Sequence, residues 1–343
     1  MKRYLRKIMN GTDLTIEEAK AASQQLFEQD VTDSEIAAFL VGLTTKGETA
    51  EEIAGLVSVL RNHAMPFQKS YANVFDNCGT GGDGVQSFNV STTSAFVLAG
   101  GGVKVAKHGN RSVSSKTGSA DVLEHLGVSL SFQAEEMKEM LDQNGVTFLF
   151  APHVHPNLKR IMHVRKALKV PTIFNMIGPL TNPVNLDTQL LGIYQRDRLM
   201  MMASVLHKLG RKRAIVVNGA GYMDEASLAG ENHLVLLDKG ELIPFTLRPE
   251  EVGLNHYPIE AIRGGDAKEN AAILVRVLNG EAGPYYETVL LNAGLAFFAH
   301  GSVETVKEGI ELAKESIHSG RALEKLHGLI AFRQGENRGV ALP

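Results

Sequence analysis

The sequence predicts an α/β protein in which an all-helical N-terminal domain precedes a larger α/β domain with a mainly parallel central sheet. Three observations favour this fold class. Up to about residue 65, helix-start signals and helical periodicity occur without a strand pattern. From residue 74 onward, short apolar runs alternate with helical segments, as in parallel βαβ units. At 343 residues, the chain is also longer than a single hydrophobic core usually supports.

Capping boxes mark three helix starts in the N-terminal part, at Thr15, Thr32 and Thr49. In each, a threonine hydroxyl and a glutamate three residues later can satisfy free amides of the first helical turn. Apolar residues then recur at helical spacing: Ile36, Phe39, Leu40 and Leu43, then Ile53, Leu56, Val57 and Leu60. We therefore expect residues 1–65 to form a helical domain.

The α/β domain is expected over residues 66–343, with the segment around 160–185 as a candidate to pack on the helical domain. Predicted strands cover residues 74–78, 103–106 and 214–217. Predicted helices include one capped by Ser91, one near residues 121–126, and one carrying Val306, Ile310, Ala313 and Ile317 that stops at Gly320. The cleft between the two domains is the expected site.

Composition excludes several functional classes. There are 35 lysine and arginine residues against 38 acidic ones, a net charge of −3, so no general basic field favours nucleic acid or an anionic membrane. Cys78 is the only cysteine and cannot form an intramolecular disulfide, which fits a reducing compartment. No apolar stretch suits a signal peptide or a membrane span. We therefore expect a cytoplasmic protein.

A glycine-rich loop at residues 79–84 directly follows the first predicted strand, and four of its six residues are glycine. Glycines let successive backbone N–H groups approach an anion, so the loop favours phosphate binding over a plain tight turn. Its pattern formally fits a dinucleotide fold, but the next helix starts too late and the next strand ends at Lys107 and His108 instead of an acidic residue. A Walker loop is excluded because no Gly-Lys-Ser/Thr follows.

A second polar loop at residues 107–115 follows the second predicted strand. It contains two permanent cations, three serine hydroxyls and an amide, and Lys116 adds a third cation. Such a density of donors at the end of a strand suits pyrophosphate. A solvated loop is the usual alternative for a charge run, but here the donors lie beside another phosphate-type loop.

Other candidate residues are ambiguous from the residues alone. Asp224 and Glu225 could hold Mg²⁺, although an isolated pair of adjacent acids more commonly marks a helix start. Arg165 belongs to a basic run at residues 159–169, and periodicity does not single it out. His153, His155 and His163 are not expected to form a zinc site, because no thiolate or ligand frame accompanies them.

Taken together, these segments resemble the anthranilate phosphoribosyltransferase family. The matching motifs occur in the family's order and cover about the whole chain: residues 79–84, 88–92, 107–115, 118–124, 164–166, 172–175, 178–183 and 223–227. The resemblance implies a nucleoside phosphorylase/phosphoribosyltransferase-like fold, which is shared with pyrimidine nucleoside phosphorylases. It also implies a homodimer formed through the helical domain, which makes one wall of a hinged cleft.

The implied activity transfers the 5-phosphoribosyl group from phosphoribosyl pyrophosphate to the amine of anthranilate, giving N-(5-phosphoribosyl)anthranilate and pyrophosphate in tryptophan biosynthesis. The implied cofactor is Mg²⁺, with two ions expected. Anthranilate and phosphoribosyl pyrophosphate are thus the expected small-molecule partners.

The resemblance also implies roles for particular residues. Anthranilate would meet Gly79, Asn110 and Arg165, and the metal would be held by Ser91, Asp224 and Glu225. Ser87 stands where the family usually has threonine, and it keeps the hydroxyl. The implied phosphoribosyl pyrophosphate site comprises Gly79, Gly82, Asp83, Ser87, Asn89, Val90, Ser91, Thr92, Lys107, His108, Gly109, Asn110, Arg111, Ser112, Val113, Ser114, Ser115 and Ser119.

No residue is assigned as a catalytic acid or base, and His108 and His155 receive no such role. An arylamine is neutral near pH 7, so its lone pair can attack without prior loss of a proton. Three rival functions stay open: a pyrimidine nucleoside phosphorylase, a non-catalytic paralogue and a dehydrogenase. The phosphorylase is disfavoured by Asp224, Glu225 and Asn110, because a phosphorolytic enzyme needs no site for a pyrophosphate-bound metal.

Overall fold

The computed structural model describes residues 1–67, 71–112 and 116–332, which fold into helices and one seven-stranded sheet. The predicted fold class is confirmed: a helical N-terminal region precedes an α/β region with a mostly parallel sheet. Val113, Ser114 and Ser115, expected to bind phosphoribosyl pyrophosphate, lie outside the described residues.

Four helices form the N-terminal part of the described chain: α1 (Lys2–Met9), α2 (Ile16–Gln25), α3 (Asp33–Lys46) and α4 (Ala50–Asn62). The predicted capping boxes at Thr15, Thr32 and Thr49 are confirmed. Each threonine hydroxyl accepts a hydrogen bond from the backbone amide of the glutamate three residues later, and the carboxylate of that glutamate accepts one from the threonine's backbone amide. These interactions give hydrogen-bond acceptors to backbone amides at the start of each helix, which have no partner within the helix.

The third capping box is also the centre of a buried ion-pair network. The Glu52 carboxylate accepts hydrogen bonds from the backbone amides of Leu14, at 2.9 Å, and Thr49, at 3.0 Å. Lys46 Nζ lies 2.9 Å from the same carboxylate, and the two side chains are only 5% and 1% exposed. Glu52 therefore joins the loop before α2 to the start of α4.

The central sheet has the strand order β3-β2-β1-β4-β5-β6-β7. The first five strands in this order pair in parallel, and β6 and β7 pair antiparallel as an edge hairpin. The three predicted strands correspond to β1, β2 and β5, whereas the other four were not predicted. The strand bounds are β1 Val74–Gly79, β2 Lys104–Gly109, β3 Val146–Phe150, β4 Thr188–Gly192, β5 Arg213–Asn218, β6 Asn232–Asp238 and β7 Glu241–Leu247.

Helices connect and cover these strands. Their bounds are α5 Val90–Gly100, α6 Ser119–His125, α7 Ala134–Gln143, α8 Ala151–Val154, α9 Lys159–Leu168, α10 Phe174–Ile177, α11 Leu199–Lys208, α12 Ala267–Leu278, α13 Pro284–His300, α14 Val306–His318 and α15 Arg321–Ala331. The helices predicted near residues 121–126 and 306–320 are confirmed as α6 and α14. No helix in the described ranges is long and apolar enough to cross a membrane.

The prediction that Ser91 caps α5 is wrong. The N-cap position is Asn89, whose own side chain forms no capping hydrogen bond. Ser91 lies within the first turn, where its backbone amide donates to the Glu225 carboxylate at 3.3 Å. The acceptor for this amide at the helix start thus comes from a different loop, and the sequence around Ser91 does not reveal it.

Two hydrophobic cores occupy the opposite faces of the sheet. Along β5, Ile215 and Val217 belong to one core and Ala214 and Val216 to the other, as the two-residue repeat of a strand requires. The first core also contains α5 and α13. The second contains α11 and helices α1–α4. It also contains a group from the segment between β3 and β4, namely Ile161, Val164, Ile173, Met176, Ile177 and Leu180. The N-terminal helices therefore share a core with one face of the sheet.

The Glu52 network generates a stability prediction. Glu52→Ala leaves two backbone amides without their acceptor and leaves Asp13 as the remaining carboxylate partner of the Lys46 ammonium. A buried group that loses its hydrogen-bond partner typically costs about 1–3 kcal/mol. We expect a loss of that size in the free energy of unfolding, measured by urea titration. Glu35→Ala is the matched control, because it removes the equivalent capping carboxylate at an exposed helix start. Equal losses in both variants would contradict the role given to the buried network.

Candidate active site

The site lies where the direction of strand progression reverses. From β1 the chain builds outward to β2 and β3, and it then returns to the other side of β1 with β4 and β5. Loops leaving the carboxyl ends of β1 and β4 diverge at such a point and open a crevice in which α/β proteins bind ligands. Gly79 and Gly192 are paired across the two strands at this edge.

The glycine-rich loop leaves the end of β1 in a conformation that requires glycine. Gly81, Gly82 and Gly84 have φ values of 69°, 84° and 75°, which residues with a Cβ rarely adopt. The Gly81 amide donates to Asp224 Oδ2 at 2.6 Å, and the Thr80 amide donates to the Gly192 carbonyl at 2.9 Å. The loop is thereby fixed against both β4 and the acidic loop that follows β5.

The acidic pair lies in that loop and not at a helix start. Asp224 and Glu225 occupy non-helical backbone between β5 and β6, so the alternative interpretation as an acidic first turn is wrong. Asp224 is buried, whereas Glu225 is half-buried. The Asp224 amide lies 3.5 Å from a carboxylate oxygen of Asp83, which places a third acid beside the pair.

This arrangement disfavours negative charge on the pair. Burial, followed by the charges of Glu225 and Asp83, raises the pKa of Asp224 well above its usual range. Burial raises the pKa of Glu225 to about 7, although the nearby Lys107 ammonium opposes the rise. Neighbouring carboxylates that repel one another in this way are suited to binding a divalent cation, which prefers oxygen ligands.

The absence of side chains at two strand ends makes room for Asp224. A Cβ on Gly192 would overlap the Asp224 carbonyl oxygen, and a Cβ on Gly79 would overlap the Asp224 carboxylate. Gly79 is not in the positive-φ region. Its importance therefore comes from this close approach and not from backbone strain.

Lys107 brings a buried cation to the same edge. Its ammonium donates to the Asn77 carbonyl at 2.8 Å, and the Asn77 amide group donates to the Ser91 carbonyl at 2.8 Å. Lys107 is 3% exposed, and its charge acts on both Glu225 and Asp76. The end of β2, the strand β1 and the start of α5 are thus linked around one positive charge.

Two buried histidines contact each other at the end of β2, where His108 follows Lys107 in the sequence. The rings of His108 and His155 meet edge to face, with centroids 5.4 Å apart. Burial and the neighbouring His155 lower the pKa of His108 to about 3, and burial lowers the pKa of His155 to about 4. Both imidazoles are therefore neutral at pH 7.

The described part of the second polar loop is held by α6. The Arg111 guanidinium pairs with Asp121 and Glu124, each at 2.8 Å. The Ser112 amide donates to Asp121 at 3.2 Å, and the Ser119 hydroxyl donates to the Asn110 carbonyl at 3.2 Å. In this structure, the Arg111 charge is thus engaged by the protein's own acids.

A buried amide supports the start of α5. Asn270 donates to the Asn89 side chain at 2.8 Å, and Asn89 in turn donates to the Thr117 carbonyl at 3.4 Å. Ser87 forms an isolated bridge with Arg263, next to this network. Val90 and Thr92 are buried in the first turn of α5. In the glycine-rich loop, a Cβ added to Gly82 would lie 3.5 Å from the Tyr194 ring.

Arg165 lies apart from these strand-end contacts, on α9. Its guanidinium donates to Asn175 at 3.4 Å and sits 4.9 Å from the centroid of the Phe174 ring. Within the described ranges, no carboxylate lies within ion-pair distance of Arg165, and no hydrogen bond joins it to Asn110 or to the Asp224 loop. Burial lowers its pKa. A half-buried guanidinium without a carboxylate partner is suited to an acidic ligand.

Several supporting residues were missed by sequence analysis. Gly192 makes room for Asp224, Asn218 donates to the Met223 carbonyl at 3.5 Å, and Asn292 accepts from the Ala226 amide at 2.9 Å, so both asparagines bind the loop that carries the acids. Nothing local marks Gly192 or Asn292, because their partners are distant in the sequence.

Comparisons with known proteins identify the family. Residues 71–323 match the sequence model described as the glycosyl transferase family, a/b domain, and residues 2–64 match the helical bundle domain of the same family. The anthranilate phosphoribosyltransferase of Exiguobacterium sibiricum is 65% identical over 99% of this chain and 100% of its own length. That of Bacillus cereus is 60% identical over 96% of this chain and 97% of its own.

Solved structures agree with these sequence matches. The Thermus thermophilus anthranilate phosphoribosyltransferase superposes with a TM-score of 0.91 at 43% identity, covering 96% of this chain and 98% of that one. The Saccharomyces cerevisiae enzyme, solved in complex with PRPP and Mg, gives a TM-score of 0.88 at 28% identity and covers 97% of both chains. Since the match in sequence and fold extends over nearly the full length, the chain belongs to the anthranilate phosphoribosyltransferase family.

Proposed function

We propose that the crevice at the ends of β1, β2, β4 and β5 is the active site for the reaction of this family. The chain transfers the 5-phosphoribosyl group from phosphoribosyl pyrophosphate to the amine of anthranilate, yielding N-(5-phosphoribosyl)anthranilate and pyrophosphate in tryptophan biosynthesis. One observation carries the site assignment: a glycine-rich loop, a buried lysine and an acidic pair converge at the switch point of the sheet.

The phosphoribosyl pyrophosphate would lie along the glycine-rich loop and the start of α5. The open backbone at Gly82 and Gly84 can present amides to phosphate, and the first turn of α5 favours negative charge. Lys107 supplies a fixed positive charge beside them. We assign to this substrate the full set expected from the sequence, from Gly79 and Gly82 through Ser87 and residues 89–92 to residues 107–115 and Ser119.

Magnesium fits the acidic pair. Asp224, Glu225 and Ser91 would hold it, since their oxygens are the ligand type that Mg²⁺ prefers and the carboxylates repel each other without a cation. Three protein ligands fall short of an octahedral shell, so pyrophosphate oxygens and water would complete it. When bound, Mg²⁺ neutralises charge that develops on the pyrophosphate leaving group. Relatives from Saccharomyces cerevisiae have been solved with Mg, and we propose two ions for this chain.

Anthranilate would enter from the side of α9. Arg165 would bind its carboxylate, while Asn110 and Gly79 would position the ring and the amine next to the ribose. The amine attacks the anomeric carbon while the bond to pyrophosphate breaks, and its proton is lost afterwards. Because an arylamine is already neutral near pH 7, orientation of the two substrates can replace a general base. The low pKa values of His108 and His155 support this view.

We also propose the boundary and assembly of the domains. Residues 1–65 would form the helical domain and residues 66–343 the α/β domain, and the separate family matches to residues 2–64 and 71–323 support this division. The segment around 160–185 would pack on the helical domain, and the core that they share supports this packing. A homodimer through the helical domain is supported by Met9, Val41 and Met162, which are exposed on α1, α3 and α9. We place the chain in the cytoplasm.

The assignment of Arg165 predicts that the two substrates respond differently to its loss. Arg165→Ala removes a charge-assisted interaction of about 1.5–3 kcal/mol, or roughly 10- to 150-fold in affinity. The KM for anthranilate should rise by that factor while the KM for phosphoribosyl pyrophosphate changes little. Lys166→Ala is the matched control, because it removes a positive charge from the exposed face of the same helix. Equal increases for both substrates would show that Arg165 supports the fold instead.

The metal assignment predicts a loss of turnover without a loss of folding. The double variant Asp224→Ala, Glu225→Ala should fold normally, since it removes two mutually repelling charges. Its turnover should fall by orders of magnitude, because a metal stabilises the transition state by several kcal/mol and each 1.36 kcal/mol is about tenfold in rate. Turnover is followed through the loss of anthranilate fluorescence over a range of Mg²⁺ concentrations.

The control for this variant is Glu250→Ala, Glu251→Ala, which removes two adjacent exposed acids elsewhere. It should keep normal turnover and a normal Mg²⁺ profile. Near-normal turnover and an unchanged Mg²⁺ profile in the Asp224, Glu225 variant would reject these residues as metal ligands.

A further inference from the structure

A buried asparagine interrupts an otherwise apolar stretch of α13. Asn292 is 1% exposed, and its neighbours Leu290, Leu291 and Ala293 are fully buried as well. A buried amide group is unfavourable unless its hydrogen bonds are satisfied, so its presence in this helix calls for a partner. That partner is the loop that carries the acidic pair.

Asn292 binds both backbone groups of a single residue in that loop. Its Oδ1 accepts from the Ala226 amide at 2.9 Å, and its Nδ2 donates to the Ala226 carbonyl at 2.8 Å. The same Nδ2 also donates to the Thr288 carbonyl, one turn earlier in α13, at 2.9 Å. The side chain is thus held by its own helix while it holds Ala226.

Ala226 directly follows Glu225, so this bond fixes the acidic pair from one side. On the other side, the Met223 carbonyl accepts from the Gly219 amide at 2.9 Å. Only Asp224 and Glu225 lie between these two fixed residues. Ala226 is fully buried, so water cannot replace the bonds from Asn292.

We infer that Asn292 is a positioning residue for the proposed metal-binding carboxylates and acts on them through the backbone of Ala226. The inference rests on the proposed role of Asp224 and Glu225. Asparagine suits this task because one side chain supplies an acceptor and a donor, which together match the N–H and C=O of a single residue. Fixing the ligand loop before the cation arrives lowers the cost of bringing two repelling carboxylates to the same ion.

The test measures Mg²⁺ binding directly. Mg²⁺ alone is titrated calorimetrically into the full-length protein, for the wild type and for Asn292→Ala. Loss of a residue that orients a metal ligand typically weakens metal affinity about 10- to 100-fold, and we expect the Mg²⁺ dissociation constant to rise by that factor. The KM for anthranilate should stay unchanged, because Asn292 does not touch the side of the crevice near Arg165.

Asn144→Ala is the matched control. Asn144 is a half-buried asparagine whose amide group donates to the Lys325 carbonyl at 2.8 Å and joins α7 to α15, away from the acidic loop. Urea unfolding should show lower stability for both asparagine variants, whereas only Asn292→Ala should weaken Mg²⁺ binding. If Asn292→Ala does not fold, Asn292→Ser decides the question, since a hydroxyl is too short to bind both groups of Ala226.

A loss of stability with unchanged Mg²⁺ affinity in the Asn292 variant would overturn the inference and leave Asn292 a purely structural residue. The variant Asp224→Ala, Glu225→Ala is titrated alongside it. If that variant loses Mg²⁺ affinity while the Asn292 variant keeps it, only the positioning role fails. If neither loses affinity, the proposed metal site fails as well.

Discussion

The close approach of Asp224 to the ends of β1 and β4 is the constraint on which the site depends. Gly79 and Gly192 are paired at the carboxyl edge of the sheet, and a Cβ on either would occupy space that Asp224 fills. The acidic loop can therefore reach the point where the strand order reverses, although it leaves the sheet from β5. Without this approach, the glycine-rich loop and the acids would lie at the same edge, but the Gly81 amide would not reach the Asp224 carboxylate.

The electrostatics of the crevice follow from that packing. Burial and mutual repulsion raise the pKa of Asp224, and burial raises that of Glu225 in spite of Lys107. Hydrogen bonds from the backbone amides of Gly81 and Ser91 to Asp224 and Glu225 offset part of this unfavourable electrostatic energy and hold the carboxylates in place. An unfavourable arrangement of like charges, fixed by the surrounding backbone, is a site prepared for a cation and its anionic ligand.

Local sequence predicted those parts of the molecule that local interactions determine. The capping boxes at Thr15, Thr32 and Thr49 were predicted because their partners are three residues apart, and β1 because an apolar run leads into glycines. The assignment of Ser91 as a cap failed because its partner, Glu225, is 134 residues away. The residues alone favoured a helix start at Asp224, and only the resemblance to a family pointed to a metal. Gly192 and Asn292 carry no local signal, since their importance arises from contacts across the fold.

We propose that the acidic loop holds the metal that accompanies pyrophosphate at the switch point of the sheet. Crystals grown with Mn²⁺ in place of Mg²⁺ and with pyrophosphate would test it most directly, because Mn²⁺ is located by its anomalous scattering. We predict a metal peak at direct coordination distance from oxygens of Asp224 and Glu225, about 2.1 Å for an ion of this kind. A peak bound only by pyrophosphate and water, or one located away from these two carboxylates, would contradict the account.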